Sequence, residues 1–90
     1  MITGDSTPRL APGVRLQPDR VRGGFNLLSP EHVLRLNASS AAILQLCDGQ
    51  RSLGEIVDHL AGQFAAEREQ LANDVTALIE TLQARRLVET

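Results

Sequence analysis

The 90-residue sequence contains no lysine, tryptophan or tyrosine, only two phenylalanines, Phe25 and Phe64, and a single cysteine. One cysteine excludes an intrachain disulfide bond. With so few aromatic side chains the core must be aliphatic, and the surface lacks the tryptophan and tyrosine anchors that dominate many binding interfaces. Recognition by this chain should therefore depend on backbone pairing and on pockets lined by aliphatic residues.

Motifs that would support catalysis or metal binding are missing as well. His32 and His59 are 27 positions apart and have no cysteine or clustered carboxylates at ligand spacing, so a zinc site is not expected. The glycine motifs of nucleotide-binding proteins and serine hydrolases are absent. Cys47 falls on an apolar helical stripe, which predicts a core residue and not a nucleophile. The sequence thus predicts a protein that is not an enzyme and needs no metal or cofactor.

A secretory signal and long apolar runs are also missing. Residues 1–8 have neither the basic region nor the apolar segment of a signal peptide. No apolar run approaches membrane-spanning length. We therefore expect a cytoplasmic protein without a membrane partner.

Charged residues are unevenly distributed along the chain. Residues 1–36 hold five arginines against three acidic residues, a net charge of +2, whereas residues 37–90 hold four arginines against eight acidic residues, a net charge of −4. This balance gives weak support for nucleic-acid binding. It permits an acidic peptide to approach the first part of the chain.

Two regions are predicted from composition. Residues 1–12 are rich in Thr, Ser, Gly and Pro and lack periodicity, which predicts a flexible N-terminal arm. Residues 13–90 should form a single domain with a modest core.

Alternating apolar residues predict three short strands at the start of this domain. The first covers residues 14–17 and turns at Pro18 into a second strand over residues 21–27. The glycine pair at positions 23 and 24 weakens the second strand and suggests a bulge or a strong bend within it. A further turn leads into the third strand over residues 32–36, with Leu34 and Leu36 facing the core.

Three helices are predicted after the strands. Asn37, Ser39 or Ser40 can cap the first helix, and Ser52 with Glu55 forms a capping-box pattern that starts the second helix at residue 53. The third helix should run from about residue 67 to residue 86, followed by an extended tail at residues 87–88 that packs back. The expected core stripes are Ala42, Ile43, Leu46 and Cys47 in the first helix, Leu53, Ile56, Val57, Leu60 and Phe64 in the second, and Leu71, Val75, Leu78 and Leu82 in the third, with Ile79 on its flank.

The expected fold is a winged helix-turn-helix-like α+β domain, with three short antiparallel strands followed by three helices. A winged-helix DNA-binding regulator is one alternative for such a fold. The third helix, however, carries four acidic residues against three arginines, and phosphates repel an acidic helix. Nucleic acid is therefore not an expected partner.

The third strand offers a different possibility. In hairpin order its outer edge has no partner, and its outward residues are Val33 and Arg35. An open edge can accept an extended peptide as an added strand. Alternatively, a loop, the N-terminal arm or a second copy of the chain covers this edge, and a homodimeric interaction module would result.

Several segments together resemble the PqqD family. They are Pro8-Arg9-Leu10-Ala11-Pro12-Gly13-Val14, Leu27-Leu28-Ser29-Pro30-Glu31, Leu36-Asn37, Ala41-Ala42-Ile43-Leu44, Cys47-Asp48-Gly49, Ile56-Val57, Asp74-Val75 and Arg86-Leu87-Val88. The resemblance implies a peptide chaperone of pyrroloquinoline quinone biosynthesis. Such a protein binds the ribosomally made precursor peptide PqqA and presents it to the radical SAM enzyme PqqE, which crosslinks a Glu and a Tyr of the peptide.

The resemblance also implies where the peptide binds. In that family the leader lies as an added strand on the third strand, in a groove against the third helix. Carried onto this sequence, the strand edge comprises His32, Val33, Leu34, Arg35 and Leu36, and the helix wall comprises Asp74, Ala77, Leu78, Thr81, Leu82 and Arg85. Arg35 and Arg85 are expected to pair with leader carboxylates in forked geometry.

Overall fold

The computed structural model describes residues 2–90. Strands form where apolar residues alternate in the sequence, and helices form where they recur with helical periodicity. The elements in chain order are β1 (Arg9–Leu10), β2 (Arg15–Pro18), β3 (Phe25–Leu28), β4 (Val33–Leu36), α1 (Ala38–Gln45), α2 (Leu53–Gln63), α3 (Arg68–Ala84) and β5 (Val88–Glu89). The predicted α+β class is confirmed, because three antiparallel strands, β2 to β4, precede three helices. Two further short strands, β1 and β5, pair with each other.

The three-stranded sheet has the order β2-β3-β4, with β3 in the centre. Leu16 of β2, Leu27 of β3 and Leu34 of β4 stand opposite one another across the sheet. Leu27 is buried, and the two flanking leucines pack against the core. Side chains alternate between the two faces of a strand, so this row places one face of the sheet on the core.

The loop between β2 and β3 corrects one prediction. A second strand over residues 21–27 is wrong, because β3 begins only at Phe25. Gly23 and Gly24 have φ angles of +78° and +75°, a left-handed conformation that suits glycine and interrupts a strand. The glycine pair therefore closes a loop over residues 19–24, and Val21, the first residue of the predicted strand, is 95% exposed.

Local signals place the starts of α1 and α2. Asn37, one of three candidate caps, accepts a hydrogen bond from the Ser40 amide at 2.7 Å. The predicted capping box at α2 is confirmed: the Ser52 hydroxyl accepts from the Glu55 amide at 3.2 Å, and the Glu55 carboxylate accepts from the Ser52 amide at 2.9 Å. Each bond satisfies an amide that a helix start leaves without an intrahelical partner.

The end of α3 is earlier than the predicted residue 86. The helix ends at Ala84, and Arg86 adopts a left-handed φ of 62° that cannot continue a helix. This turn directs Leu87 and Val88 back to the core, where both are buried. The predicted packing of the tail is thus confirmed, and its last residue, Val88, begins β5.

The core differs in detail from the predicted stripes. Ile79, expected on the flank of α3, has no exposed surface, whereas Leu71 and Leu78 are only partly buried. Phe64 lies just beyond the end of α2 with an extended backbone and is 45% exposed. The buried hydrophobic residues are Ala11, Leu27, Ala41, Ile43, Leu44, Cys47, Leu53, Ile56, Val57, Leu60, Val75, Ile79, Leu82, Leu87 and Val88. Across residues 2–90, no helix has both the length and the apolar character needed to cross a membrane.

The N-terminal residues dock on the domain instead of forming the free arm expected for residues 1–12. Pro8 and Ala11 are buried, and β1 pairs with β5. The carbonyl oxygens of Gly4 and Ser6 accept hydrogen bonds from the first two amides of α2, at 3.0 and 2.7 Å. We call residues 4–11 the N-terminal strap. Met1 of the predicted arm lies outside the described residues.

Candidate functional site

The outer edge of β4 is the first component of the candidate site. β4 is the last strand of its sheet, and within residues 2–90 no other strand pairs with its outer side. The Ser29 amide donates to the His32 carbonyl at 2.9 Å, so these two residues form a hydrogen-bonded pair. Bonded and non-bonded pairs alternate along an antiparallel ladder, which directs the backbone groups of Leu34 and Leu36 to β3. The backbone groups of Val33 and Arg35 therefore point to the open edge.

The opposite edge of the sheet, on β2, is less suited to accept a strand. The Asp19 amide donates to the Gly24 carbonyl at 2.8 Å, and the same alternation directs the backbones of Leu16 and Pro18 outward. Proline has no amide hydrogen to donate. The β2 edge thus offers one outward amide where the β4 edge offers two.

Side chains on β4 alternate as the sequence predicts. Val33 is 66% exposed and Arg35 is exposed, whereas Leu34 and Leu36 pack against the core. His32 precedes the strand, and its amide donates to the Ser29 hydroxyl at 3.1 Å. Of the five predicted edge residues, two present both their side chains and their backbones to solvent, two anchor the strand, and His32 belongs to the turn.

Arg35 has a partner inside the chain that sequence analysis missed. Its guanidinium Nη1 lies 3.2 Å from the Asp19 carboxylate and forms an ion pair. The guanidinium also covers Gly24, where a Cβ atom would lie 3.0 Å from Nη2. A peptide carboxylate must therefore compete with Asp19 or use the remaining N–H groups of Arg35. The pairing of Arg35 with leader carboxylates stays a prediction.

The Asp19 carboxylate holds the hairpin loop in place by accepting four hydrogen bonds. Its Oδ1 accepts from the Val21 and Arg22 amides, both at 3.0 Å, and its Oδ2 accepts from the Asn26 amide group at 3.2 Å and from Arg35. The Arg22 amide bond is the main cause that lowers the pKa of Asp19 below its ordinary value, and partial desolvation opposes it. The charged carboxylate is thus the form that the folded loop favours.

Replacing Asp19 with Asn should destabilise the protein at neutral pH, because a donor would then face the Asn26 and Arg35 donors. A depressed folded-state pKa contributes stability above the unfolded pKa, and this contribution is lost as pH falls through the folded pKa. The gap in urea midpoint between wild type and Asp19→Asn should therefore narrow as the pH is lowered from about 7 to about 3.

Asp5 provides the matched control, since its carboxylate makes no hydrogen bond or ion pair with residues 2–90. Asp5→Asn should leave the midpoint unchanged across the same pH range. A gap for Asp19→Asn that stayed constant with pH would contradict the role of the Asp19 charge.

The predicted wall on α3 stays a prediction, and most of its residues are exposed. Asp74, Ala77, Thr81 and Arg85 are exposed and recur at the three- or four-residue spacing of one helix face, with Leu78 partly buried among them. Leu82 is wrong as a groove residue, because it is 4% exposed and belongs to the core. The main packing partners of α3 are α2 and β5, while β4 packs on β3 and α1.

An apolar cavity of about 330 Å³ connects α3 with the start of α1. Ala38, which lies two residues after the end of β4, and Asp74 of α3 both line it. The complete lining is Ala38, Ser39, Ile43, Leu60, Phe64, Ala66, Leu71, Asp74 and Val75. Sequence analysis assigned only Asp74 to the site. Phe64, which is half exposed just after α2, marks this cavity in the structure. No sequence signal pointed to it, because helical periodicity placed Phe64 in the core.

A larger open cleft of about 740 Å³ lies on the side of the hairpin loop. It is lined by Gly24, Phe25, Arg35, Leu36, Asn37, Ala38, Ala41, Ala42 and Gln45. Ala38 borders both spaces. The larger cleft thus includes the end of β4, and the smaller apolar cavity begins two residues later, at Ala38.

Cys47 is placed as predicted, in the core. Its Sγ donates to the Ile43 carbonyl at 3.3 Å, and burial raises the pKa of the thiol to about 12. The thiol is therefore protonated near neutral pH and is a poor nucleophile. In the described part of the chain, no three His, Cys, Asp or Glu side chains cluster as a metal site.

Comparison with known proteins identifies relatives along the whole chain. The family model for Coenzyme PQQ synthesis protein D (PqqD) matches residues 24–88. The PqqA binding protein of Xanthomonas axonopodis pv. citri (strain 306) is 45% identical over 87 residues, which cover 97% of this chain and 95% of that protein.

Solved structures share the fold. The PqqD truncation of Methylobacterium extorquens PqqCD is a stand-alone recognition element for ribosomally synthesized, post-translationally modified peptides. Its solution NMR structure is 31% identical to this chain, with a TM-score of 0.86 and coverage of 100% of this chain and 96% of that one. PqqD from Xanthomonas campestris is 40% identical, with a TM-score of 0.63 over the full length of both chains.

Proposed function

Because this chain belongs to the PqqD family, we propose that it is a peptide chaperone of pyrroloquinoline quinone biosynthesis that binds a precursor peptide of the PqqA type. The observation that carries the proposal is the open edge of β4, with the outward backbone groups of Val33 and Arg35. A peptide strand paired there takes affinity from backbone hydrogen bonds and selectivity from neighbouring pockets.

The neighbouring spaces define the peptide that fits best. The cavity beside Ala38 and Phe64 is apolar and takes an aliphatic or aromatic side chain. Arg85, at the end of α3, makes no ion pair with residues 2–90 and is available to a peptide carboxylate. The proposed contact residues are His32, Val33, Arg35, Asp74, Ala77, Leu78, Thr81 and Arg85, with Leu34 and Leu36 holding the strand in place.

The proposed mechanism is tethering without catalysis by this chain. A peptide held on β4 stays close to the radical SAM enzyme PqqE while its reactive segment remains free. Binding thus converts a bimolecular encounter into a local one and raises the effective concentration of the reactive segment. No side chain of this chain needs to touch the reacting atoms.

Calorimetric titration with a synthetic PqqA-type precursor peptide tests the proposal. Saturable one-to-one binding of the native peptide, without binding of a scrambled peptide of the same composition, is the expected result. Equal binding of both peptides would indicate charge attraction alone and would contradict strand addition. The absence of binding to a folded protein would contradict the proposed function.

Self-association through the same edge is the second candidate, because an open strand edge can pair with a second copy of itself. Sedimentation at increasing concentration separates the two cases. A monomer that binds peptide favours the chaperone. A dimer that dissociates as peptide is added would show that the peptide and the second copy of the chain compete for β4.

A further inference from the structure

The hairpin loop at residues 19–24 presents an apolar side chain between two arginines. Val21 is 95% exposed, the highest value among the exposed large hydrophobic residues of the described chain. Arg20 and Arg22 on either side are exposed as well. An aliphatic side chain that is displayed in this way adds nothing to the core, and its apolar surface is free to be buried by a partner.

The loop is held in one conformation. Asp19 accepts from the Val21 and Arg22 amides, and the Gly23 amide donates to the Asp19 carbonyl at 2.9 Å. Arg35 of β4 ties the same carboxylate to the sheet. Since these bonds order the backbone before any partner arrives, little conformational entropy remains to be lost when the loop binds.

The loop also carries positive charge. Arg20 and Arg22 make no ion pair with residues 2–90, a property that they share with Arg15, Arg85 and Arg86, whereas the other four arginines each have a carboxylate partner. The loop belongs to the part of the chain with net charge +2, and the helices belong to the part with net charge −4. A partner that carries negative charge is attracted to the loop and repelled by the helices.

We infer that the loop formed by Arg20, Val21 and Arg22 docks on an acidic protein surface that has a small apolar pocket for Val21. Resting on the proposed function, this partner is the enzyme that receives the peptide. Phe25 pairs with Leu36, so the loop projects beyond the end of β4. A peptide strand on β4 thus has one end beside the loop, and an enzyme docked there meets the peptide as it leaves the edge.

Nucleic acid is the other class of anionic partner, and two observations disfavour it. The helices carry net negative charge, so phosphates alongside the loop would be repelled. Val21 would gain little against a phosphate backbone, whereas an apolar pocket on a protein would bury it.

The test compares Arg20→Glu/Arg22→Glu with Arg51→Glu/Arg68→Glu. Both double variants change the net charge by the same amount. In the control variant, Arg51 and Arg68 lose only exposed ion pairs with Asp48 and Asp58, which contribute little to stability. Binding to purified radical SAM enzyme and to the precursor peptide is measured for each variant. The loop variant should bind the enzyme at least about tenfold more weakly, with peptide affinity unchanged, and the control should match wild type.

Other outcomes separate the inference from the proposed function. If both double variants weakened enzyme binding equally, or if neither weakened it, the inference that the loop docks on the enzyme would be wrong, even if the peptide binds. If the peptide did not bind and only the loop variant lost enzyme binding, the proposed peptide function would be wrong, but docking of the loop on the enzyme would be supported. Salt-dependent binding of duplex DNA that only the loop variant loses would assign the loop to nucleic acid and overturn the inference.

Val21→Ser should also weaken enzyme binding, and an unchanged affinity would contradict the apolar pocket.

Discussion

Val33→Pro should abolish most precursor-peptide binding and leave the domain folded. The Val33 amide points to the open edge, so proline removes no hydrogen bond of the existing sheet, and the first position of an edge strand tolerates it. A bound peptide, however, would lose a backbone donor and leave a carbonyl unsatisfied, which costs about 1–3 kcal/mol. We expect peptide affinity to fall by roughly tenfold or more in a calorimetric titration.

Two controls accompany this variant. Val33→Thr keeps the amide and a branched side chain, so its peptide affinity should remain close to that of wild type. Leu34→Pro removes an amide that bonds to β3, so it should unfold the sheet. A folded Val33→Pro protein with normal peptide affinity would show that the peptide does not add to β4.

Deleting residues 1–11 should severely destabilise the domain, although their composition predicts a flexible arm. The deletion removes buried Pro8 and Ala11, the partly buried Leu10 and the pairing of β1 with β5. Lost apolar burial alone suggests a decrease of about 3 kcal/mol or more in the free energy of unfolding, a large share of the stability of a small domain. Urea denaturation followed by circular dichroism measures the change.

Single substitutions distinguish burial from chain length. Pro8→Ala should lower the urea midpoint because Pro8 is fully buried, whereas Thr7→Ala should not, because Thr7 is exposed. If the truncated protein kept the unfolding free energy of the full chain, the contacts of the N-terminal strap would contribute nothing to stability.

The elements that sequence reasoning predicted well depend on neighbouring residues. The capping box of Ser52 and Glu55 and the cap at Asn37 involve positions three residues apart. The alternation of Val33, Leu34, Arg35 and Leu36 correctly predicted which side chains face the core. Such signals are readable because a helix or strand imposes a fixed period on the chain.

Two errors, the early start of the second strand and the late end of α3, come from left-handed residues at Gly23, Gly24 and Arg86, and the others come from contacts between residues far apart in sequence. Arg9 pairs with Glu89 across 80 positions, and no composition rule for residues 1–12 contains that partner. Ile79 was assigned to a flank because the helical period locates a stripe but not the axis of the stripe, whereas the same period placed Leu82 correctly in the core and only the family resemblance assigned it to a groove. The packing of α3 against α2 and β5 decided which of its residues are buried.

By itself, the sequence determined the α+β class, the helix starts and the alternation of side chains along the third strand, because local hydrogen bonding and side-chain periodicity specify these features, and its motifs carried the resemblance to PqqD. Only the tertiary structure decided that no strand of residues 2–90 covers the outer edge of β4, that the N-terminal strap completes the fold, that Asp19 pairs with Arg35, and that Phe64 borders an apolar cavity at the start of α1. Each of these depends on the burial and pairing of distant segments, which arise only when the whole chain packs.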